Sequence, residues 1–298
     1  MPQQSIIAGI AAWLFVLIWA TGFVVARGIS GLIDPYLFLL ARFISVLLIF
    51  ALAMLILRTP LPTWQDRWRL IGIGALMQGF YLGPGFWAVS QGLEAGIMSL
   101  IGALQPPLTA VLAWYFLNEK ISRRTITGLL IGVTGVALAI SPGLSNTMPS
   151  SSISIWVIAA SLLSVSAITA GSLLQKSSIV SVPLLSAITF QTLGAAMVML
   201  IMNSMLGHWQ FPLTAPALGY LGYAVLVLSI GGFTLLTWLI RSGSATRASS
   251  LLLLVPPLAA IISWWLYDEA LVSMQIVGFA MALLGVLIAR SSPASRKS

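Results

Sequence analysis

The stretch LQPPLTAVLAWYFLNE at residues 104–119 places two adjacent prolines inside a long apolar run, and LVPPLAAIISWWLYDE at residues 254–269 repeats the pattern. With an offset of 150 residues, the two stretches share seven of sixteen positions, including both prolines and the terminal glutamate. Proline is unfavourable in a helix interior because it lacks the backbone N–H. The repetition indicates that each half of the chain is one copy of the same structural unit.

The composition indicates that most of the surface faces lipid. The chain has 298 residues, of which 59% are hydrophobic and 7% charged, with a mean hydropathy of +1.04. A soluble domain carries about 25% charged residues. The apolar runs are long and continuous, which favours membrane-spanning helices over the alternating strands of a β-barrel. No cysteine is present, and the first apolar run lacks a preceding basic segment, so we interpret it as a retained membrane helix.

Polar breaks divide the chain into ten predicted spans, at about residues 6–26, 33–57, 68–89, 95–117, 124–141, 153–174, 182–206, 216–239, 246–267 and 273–290. Twelve of the fourteen Lys and Arg residues follow even-numbered spans or lie at the C-terminus. The other two are Arg27, which follows the first span, and Arg42, within the second. The positive-inside rule therefore predicts a multi-pass protein of the cytoplasmic (inner) membrane with both termini cytoplasmic. The net charge of +8 then requires no nucleic-acid partner.

The repeat predicts two five-helix units of opposite orientation, because five is an odd number of crossings. We assign the first unit to residues 1–142 and the second to residues 153–290. The charges agree, since NEKISRR follows the first double-proline span and the cation-free DEALVSM follows the second. The predicted fold class is an all-α polytopic membrane protein with ten transmembrane helices in two inverted repeats, an architecture typical of transporters.

The double prolines predict interrupted helices. Pro106 and Pro107, and likewise Pro256 and Pro257, fall near the centres of the fourth and ninth predicted spans. Each pair frees two carbonyls four residues back, and Pro84 in the third span frees one more. The freed carbonyls belong to Gly102, Ala103, Leu252, Leu253 and Phe80. Proline-interrupted spans at matching positions of two halves indicate a transport site, and the alternative is a simple packing kink.

These residues also resemble a known family. The segment WAVSQGLEAGIMSLIGALQPPLTAVLAWYFLNEKISRRTITGLLIGVTGVAL at residues 87–138 is similar to the signature of the EamA-type drug/metabolite transporter superfamily. IWATGFVVAR at residues 18–27 and LLARFISVLL at residues 39–48 resemble its first two helices. The resemblance implies ten helices in two inverted repeats and export of small metabolites from the cytoplasm. Within the family, the chain is most similar to the aromatic amino-acid exporters.

Polar and aromatic side chains predicted at membrane depth are candidates for substrate binding. Gln78, Tyr81 and Gln105 offer donors to a carboxylate, freed carbonyls can accept from an ammonium, and aromatic rings can hold a flat side chain. Each Trp or Tyr can alternatively anchor the interface or pack between helices. The candidates are Trp19, Thr21, Gln78, Tyr81, Trp87, Ser99, Gln105, Ser164, Ser166, Thr234 and Trp238. Gly128, Gly132, Gly135, Gly278 and Gly285 indicate close helix contacts instead.

Charged residues are scarce at the predicted midplane. All six acids are predicted at helix ends or in loops, and Glu119 and Glu269 end the equivalent helices, where each can pair with a base or act as a gate. Arg42 is a functional candidate, or it snorkels to the interface. His208 is predicted in an exposed external turn. Without a midplane carboxylate, we expect passive export driven by the substrate gradient.

The sequence therefore predicts a secondary transporter that exports small zwitterionic metabolites, aromatic or large neutral amino acids, by alternating access. One alternative is an efflux carrier for cationic or hydrophobic drugs, and another is a non-transporting structural or regulatory membrane protein. An intramembrane enzyme is disfavoured because HExxH, GxSxG and Walker motifs are missing from the sequence. No cofactor or metal is expected. The expected partners are a small-molecule substrate and the bilayer; a single chain suffices, and the sequence leaves the oligomeric state open.

Overall fold

The computed structural model describes residues 2–117, 122–144, 153–178, 182–232, 235, 254–269 and 271–290. The described residues are helical apart from short connections, and they contain no strand. We number their α-helices α1 (Pro2–Gly28), α2 (Pro35–Ile56), α3 (Trp64–Gly74), α4 (Tyr81–Ser90), α5 (Ala95–Gly102), α6 (Gln105–Leu117), α7 (Arg123–Leu144), α8 (Ile155–Ser178), α9 (Leu184–Leu206), α10 (Ala215–Tyr223), α11 (Val255–Tyr267) and α12 (Ser273–Arg290).

Helical residues occur within each of the ten predicted spans, although parts of the eighth and ninth lie outside the described residues. Among the described residues, six helical segments are long and apolar enough to cross a membrane by length and composition. The six are Ile10–Gly28, Pro35–Ile56, Ala95–Leu112, Arg123–Pro142, Ile155–Gln175 and Leu184–Leu206. Large apolar side chains face outward, among them Trp265 at 78% exposed and Leu55 at 76%. The chain is therefore a multi-pass membrane protein.

Local capping chemistry decides where two helices begin. Asp34 precedes α2, and its carboxylate accepts hydrogen bonds from the backbone N–H groups of Tyr36 and Leu37. Thr63 precedes α3, and its hydroxyl oxygen accepts from the N–H of Asp66. Helix α3 consequently starts at Trp64, four residues before the predicted start of the third span.

Two segments wind more loosely than an α-helix. Residues Ala75–Phe80 form a π-helical segment that joins α3 to α4, and residues Ala224–Gly231 form a second π-helical segment that continues α10. Such segments, whose hydrogen bonds run from residue i to i+5, are rare and are frequent at functional sites. An offset of 150 places the first segment on residues 225–230, within the second. Sequence reasoning does not predict either segment.

The most extensive helix pairing joins α7 to α12. A Cβ added at Gly128 would overlap the carbonyl oxygen of Gly285, and a Cβ at Gly135 would lie 2.7 Å from that of Gly278. Likewise, a Cβ added at Gly278 would overlap the carbonyl oxygen of Gly135, and one added at Gly285 would overlap that of Gly128. Because lipid chains are as apolar as leucine, such close contact between small residues, rather than burial alone, holds membrane helices together. The predicted packing role of these glycines is confirmed.

The interior of the bundle lies between α1, α2, α4, α5 and α8. Phe38 stacks on Phe86 with ring centroids 6.3 Å apart, and Phe23 contacts Phe86 at 6.1 Å. Ile97 and Met98 of α5 are fully buried in the same cluster. This aromatic core fixes α4 and α5, which carry most of the candidate site.

Candidate functional site

The fourth predicted span is broken into two helices. Helix α5 ends at Gly102 and α6 begins at Gln105, with Ala103 and Leu104 in a turn between them. The double proline at residues 106–107 therefore lies in the first turn of α6 and not in a helix interior, which corrects the sequence-based placement. Proline suits this position because its fixed φ fits the helix and the N–H that it lacks has no intrahelical partner there.

The second double proline occupies an equivalent position. Helix α11 begins at Val255, so Pro256 and Pro257 also lie in a first turn, and Pro256 is buried. An offset of 150 relates Val255 to Gln105, the first residue of α6. The carbonyls predicted to be free at Leu252 and Leu253 lie outside the described residues.

Side chains from three other helices meet the break between α5 and α6. A Cβ added at Gly102 would lie 3.6 Å from the hydroxyl of Tyr81, whose ring meets Phe23 edge-on at 5.8 Å. Ser164 is fully buried and its hydroxyl donates to the carbonyl of Tyr81. The amide of Gln105 donates to the hydroxyl of Ser172 over 2.8 Å. Of the predicted site, Tyr81 therefore lies at this break, Gln105 begins the helix that follows it, and Ser164 contacts the backbone of Tyr81.

Other predicted site residues surround the break at greater remove. Gln78 lies in the first π-helical segment, and Pro84 is buried inside α4. Ser99 is buried in α5, and Trp87 packs partly buried against the core. The ring of Trp19 lies tilted against that of Phe15, with centroids 5.3 Å apart, in a separate apolar cluster.

Three predicted site residues and the gate candidate Glu119 are not shown near the break. Ser166 lies on the exposed face of α8 beside Leu162 and Leu163, because these positions are three and four residues apart on the helix. This placement turns Ser166 away from the bundle interior, contrary to the prediction. Thr234, Trp238 and Glu119 lie outside the described residues.

A cavity of about 500 Å³ opens between α1, α10 and α11, near the predicted outer end of the bundle. Its polar groups are hydroxyls: that of Thr21 pairs with Tyr223 over 2.8 Å, and that of Tyr220 pairs with Tyr267 over 3.1 Å. The rest of the lining is apolar or glycine and comprises Val24, Val25, Pro216, Gly219, Ile262 and Leu266. The volume lies in the usual range of small-molecule sites.

A polar network lies beside this cavity. The Nε of Arg27 lies 2.6 Å from Oε1 of Glu269 in an ion pair, and Oε2 accepts hydrogen bonds from the hydroxyl of Ser263 and from the N–H of Ala95. The guanidinium of Arg27 lies over the ring of Tyr267 at 5.9 Å. Because Ala95 begins α5, its helix dipole also favours the carboxylate. Glu269, one of the two predicted gate residues, thus joins the ends of α1, α5 and α11.

A second carboxyl group adjoins this network. Glu94 immediately precedes α5 and accepts a 2.7 Å hydrogen bond from the buried amide of Gln275 in α12. Burial raises the pKa of Glu94 above its ordinary value, the hydrogen bond from Gln275 lowers it, and the nearby charge of Glu269 raises it. The cluster therefore holds two carboxyl groups and one guanidinium.

Arg42 is buried between α2 and the second π-helical segment. Its Nε donates to the hydroxyl of Ser229 over 3.0 Å, and Ser229 in turn donates to the carbonyl of Ala224. The side chain is 7% exposed, so it does not snorkel to the surface. His208 is exposed, as predicted, and its N–H donates to Asp34. Among the described residues, no group of three His, Asp or Glu side chains could hold a metal ion.

Comparison with known protein families identifies one family over both halves of the chain. The model of the EamA-like transporter family matches residues 6–141 and, separately, residues 152–291. A solved crystal structure aligns with 95% of this chain and 98% of its own length at a TM-score of 0.63. The identity in that alignment is 17%, so the likeness concerns the fold alone.

Three relatives are similar over most of the chain. A WAT1-related chloroplastic protein of Arabidopsis thaliana is 28% identical over 91% of this chain, which spans 66% of that relative's length. An uncharacterized transporter of Synechocystis is 27% identical, covering 91% of this chain and 86% of the relative. A probable amino-acid metabolite efflux pump of Salmonella typhimurium is 24% identical, covering 94% and 93%.

Proposed function

Because the chain belongs to the EamA-like transporter family, we propose that it is a secondary transporter that exports small zwitterionic metabolites, namely aromatic or large neutral amino acids. The observation that carries this proposal is the break between Gly102 and Gln105, within a segment apolar enough to span the membrane. Backbone of this kind is tolerated at membrane depth only where it is buried in protein or lines a wet cavity. In transporters, interrupted helices supply the substrate site.

The chemistry of the break supports a zwitterionic substrate. The carbonyls of Gly102 and Ala103 cannot bond to the prolines four residues on, which lack an N–H, so they are available to an ammonium group. The Tyr81 hydroxyl next to Gly102 can donate to a carboxylate, and Phe23 presents a ring beside Tyr81. The Salmonella typhimurium relative, named a probable amino-acid metabolite efflux pump, supports the same substrate class.

Ten transmembrane helices in two inverted repeats, over residues 1–142 and 153–290, are part of the proposal. Support comes from the two separate family matches, from the two π-helical segments related by 150 residues, and from the reciprocal glycine contacts of α7 and α12. We further propose, from the positive-inside rule, that both termini lie in the cytoplasm. A cysteine at Ser273 should react with an impermeant thiol reagent from outside and one at Ser122 should not; the reverse result would contradict this orientation.

Alternating access is the mechanism that we propose. The network of Arg27, Glu269, Ser263 and Ala95 would hold the outer ends of α1, α5 and α11 together while substrate is bound from the cytoplasm. Separation of Arg27 from Glu269 would then open the outer side. Rocking between two such states is the common behaviour of inverted-repeat transporters.

Uptake into proteoliposomes tests the function. Labelled phenylalanine, lysine and a quaternary ammonium are offered with and without a pH gradient, and protein-free liposomes serve as the control. We expect counterflow of phenylalanine alone, without a pH gradient. Accumulation of the quaternary ammonium driven by a pH gradient would instead indicate a drug carrier, and failure to move any of the three would contradict the proposed function.

A further inference from the structure

Arg42 is a cation without a counter-charge at membrane depth. It is the eighth residue of α2 and is 7% exposed. In the part of the chain that the structure describes, the one ion pair joins Arg27 to Glu269, so no carboxylate balances Arg42. An intramembrane arginine is costly and is therefore retained for a reason.

The guanidinium of Arg42 has unused donors. A guanidinium carries five N–H groups, of which the Nε–H donates to Ser229. The four N–H groups of its two terminal nitrogens have no acceptor among the described residues. In the same described residues, the fully buried side-chain atoms without a hydrogen-bond partner belong only to Asn203 and to Arg27, whose Nε forms the ion pair with Glu269. The terminal nitrogens of Arg42 therefore keep a small accessible surface, and their N–H donors are available to a ligand.

We propose that Arg42 binds the carboxylate of the transported molecule, an inference that rests on the proposed function. A planar fork of parallel N–H donors matches a carboxylate bidentately, and such charge-assisted bonds are stronger than neutral ones. The bound carboxylate would supply the negative charge that no described residue places beside Arg42. The same uncompensated cation repels cationic molecules, so it selects anionic and zwitterionic substrates against amines.

Ser229 fixes the direction of this fork. Its hydroxyl accepts from the Nε–H of Arg42 and donates to the carbonyl of Ala224, five residues earlier in the second π-helical segment. The guanidinium is thereby held through its Nε, while its two terminal nitrogens have no acceptor among the described residues. Ser229 is a positioning residue, and a ligand on Arg42 pulls directly on the π-helical segment.

The test measures phenylalanine counterflow in proteoliposomes by the wild type, Arg42→Lys, Arg42→Gln and Arg69→Gln. Arg69 is exposed, so its exchange removes the same charge elsewhere. Two competitors distinguish binding of the carboxylate from binding of the amine: 3-phenylpropionate keeps only the carboxylate of phenylalanine, and phenylethylamine keeps only the amine. We expect Arg42→Gln to raise the KM for phenylalanine at least tenfold and to abolish competition by 3-phenylpropionate, whereas Arg69→Gln behaves like the wild type.

The outcomes distinguish failure of the role proposed for Arg42 from failure of the proposed transport function. Arg42→Lys keeps the charge without the fork and should raise KM several-fold, which decides the question even if Arg42→Gln fails to fold. If both variants keep KM within about twofold of the wild type and still bind 3-phenylpropionate, Arg42 does not hold the carboxylate, while the transport function stands. A defect that follows the anionic lipid content rather than substrate concentration would assign Arg42 to a lipid headgroup and overturn the inference. A wild type that moves no phenylalanine contradicts the proposed function itself.

Discussion

Exchange of Glu269 for glutamine should loosen the predicted outer end of the bundle. The carboxylate of Glu269 forms an ion pair with Arg27 and accepts hydrogen bonds from Ser263 and from the N–H of Ala95. Glutamine keeps one oxygen for these donors but loses the charge. A hydrogen bond to a charged group contributes about 1.5–3 kcal/mol and a neutral one about 0.5–1.5 kcal/mol. Because the Arg27 side chain is 38% exposed, solvent screening reduces the difference, and we expect a loss of about 1 kcal/mol.

That loss shifts the ratio of closed to open outer ends about fivefold, since 1.4 kcal/mol corresponds to a factor of ten. Val24 lines the cavity beside the network and is 3% exposed, and the chain has no cysteine of its own. A cysteine at Val24 should therefore react about fivefold faster with an impermeant thiol reagent from outside when Glu269→Gln is present.

The neighbouring Asp268 provides the matched control. Asp268 is exposed and has left-handed backbone geometry with φ of 55°, which asparagine also tolerates. Asp268→Asn removes one negative charge beside Glu269 and should leave the labelling rate at Val24 unchanged. If Glu269→Gln labels no faster than Asp268→Asn, the ion pair with Arg27 does not hold the outer end closed.

Gly128→Ala should lower the stability against thermal unfolding in detergent by about 1–3 kcal/mol, because the added Cβ overlaps the α12 backbone. Gly72→Ala should leave the stability unchanged, because a Cβ at Gly72 has no neighbour within 4 Å, and equal effects of the two changes would contradict the packing role of Gly128. Pro107→Ala and Pro256→Ala restore a backbone donor to the first turn of their helices, so phenylalanine counterflow should fall several-fold while the unfolding temperature holds; unchanged counterflow would reduce both prolines to packing residues. Because the pKa of Glu94 is raised in the folded protein, its protonation stabilises the fold below the ordinary pKa of 4.5, and this contribution is lost as pH rises through the raised value. Glu94→Gln should therefore flatten the rise in unfolding temperature on acidification. An unaltered pH profile of the unfolding temperature would refute this prediction.

Much of the helical arrangement could be predicted from sequence because apolar runs of sufficient length report membrane spans directly. The last span is predicted at residues 273–290 and α12 has these bounds. The start of α3 was misplaced although its signal was present: Thr63 followed three residues later by Asp66 is a capping pattern. The double prolines correctly predict an interruption of the fourth span, but they lie in the first turns of α6 and α11 rather than in a helix interior.

The site depends on contacts that spacing along the chain does not report. Arg27 and Glu269 are distant in sequence, and only their shared location at the predicted outer end, which is almost free of cations, could have suggested the pairing. The π-helical segments have no hydrophobic period of their own, so no pattern predicts them. The bond between Arg42 and Ser229 depends on the approach of α2 to the second of these segments.

Reversible cross-linking of the outer network tests the central claim that substrate crosses by alternate opening of the two sides. Arg27→Cys combined with Glu269→Cys places thiols where the two side chains meet, in a chain without other cysteines. A short bifunctional methanethiosulfonate reagent then joins them, a reducing agent releases them, and each single-cysteine variant is treated alike. Phenylalanine counterflow should stop in the cross-linked protein and return on reduction. Equal counterflow before and after reduction, with the cross-link verified, would show that the outer end need not open and would contradict the account.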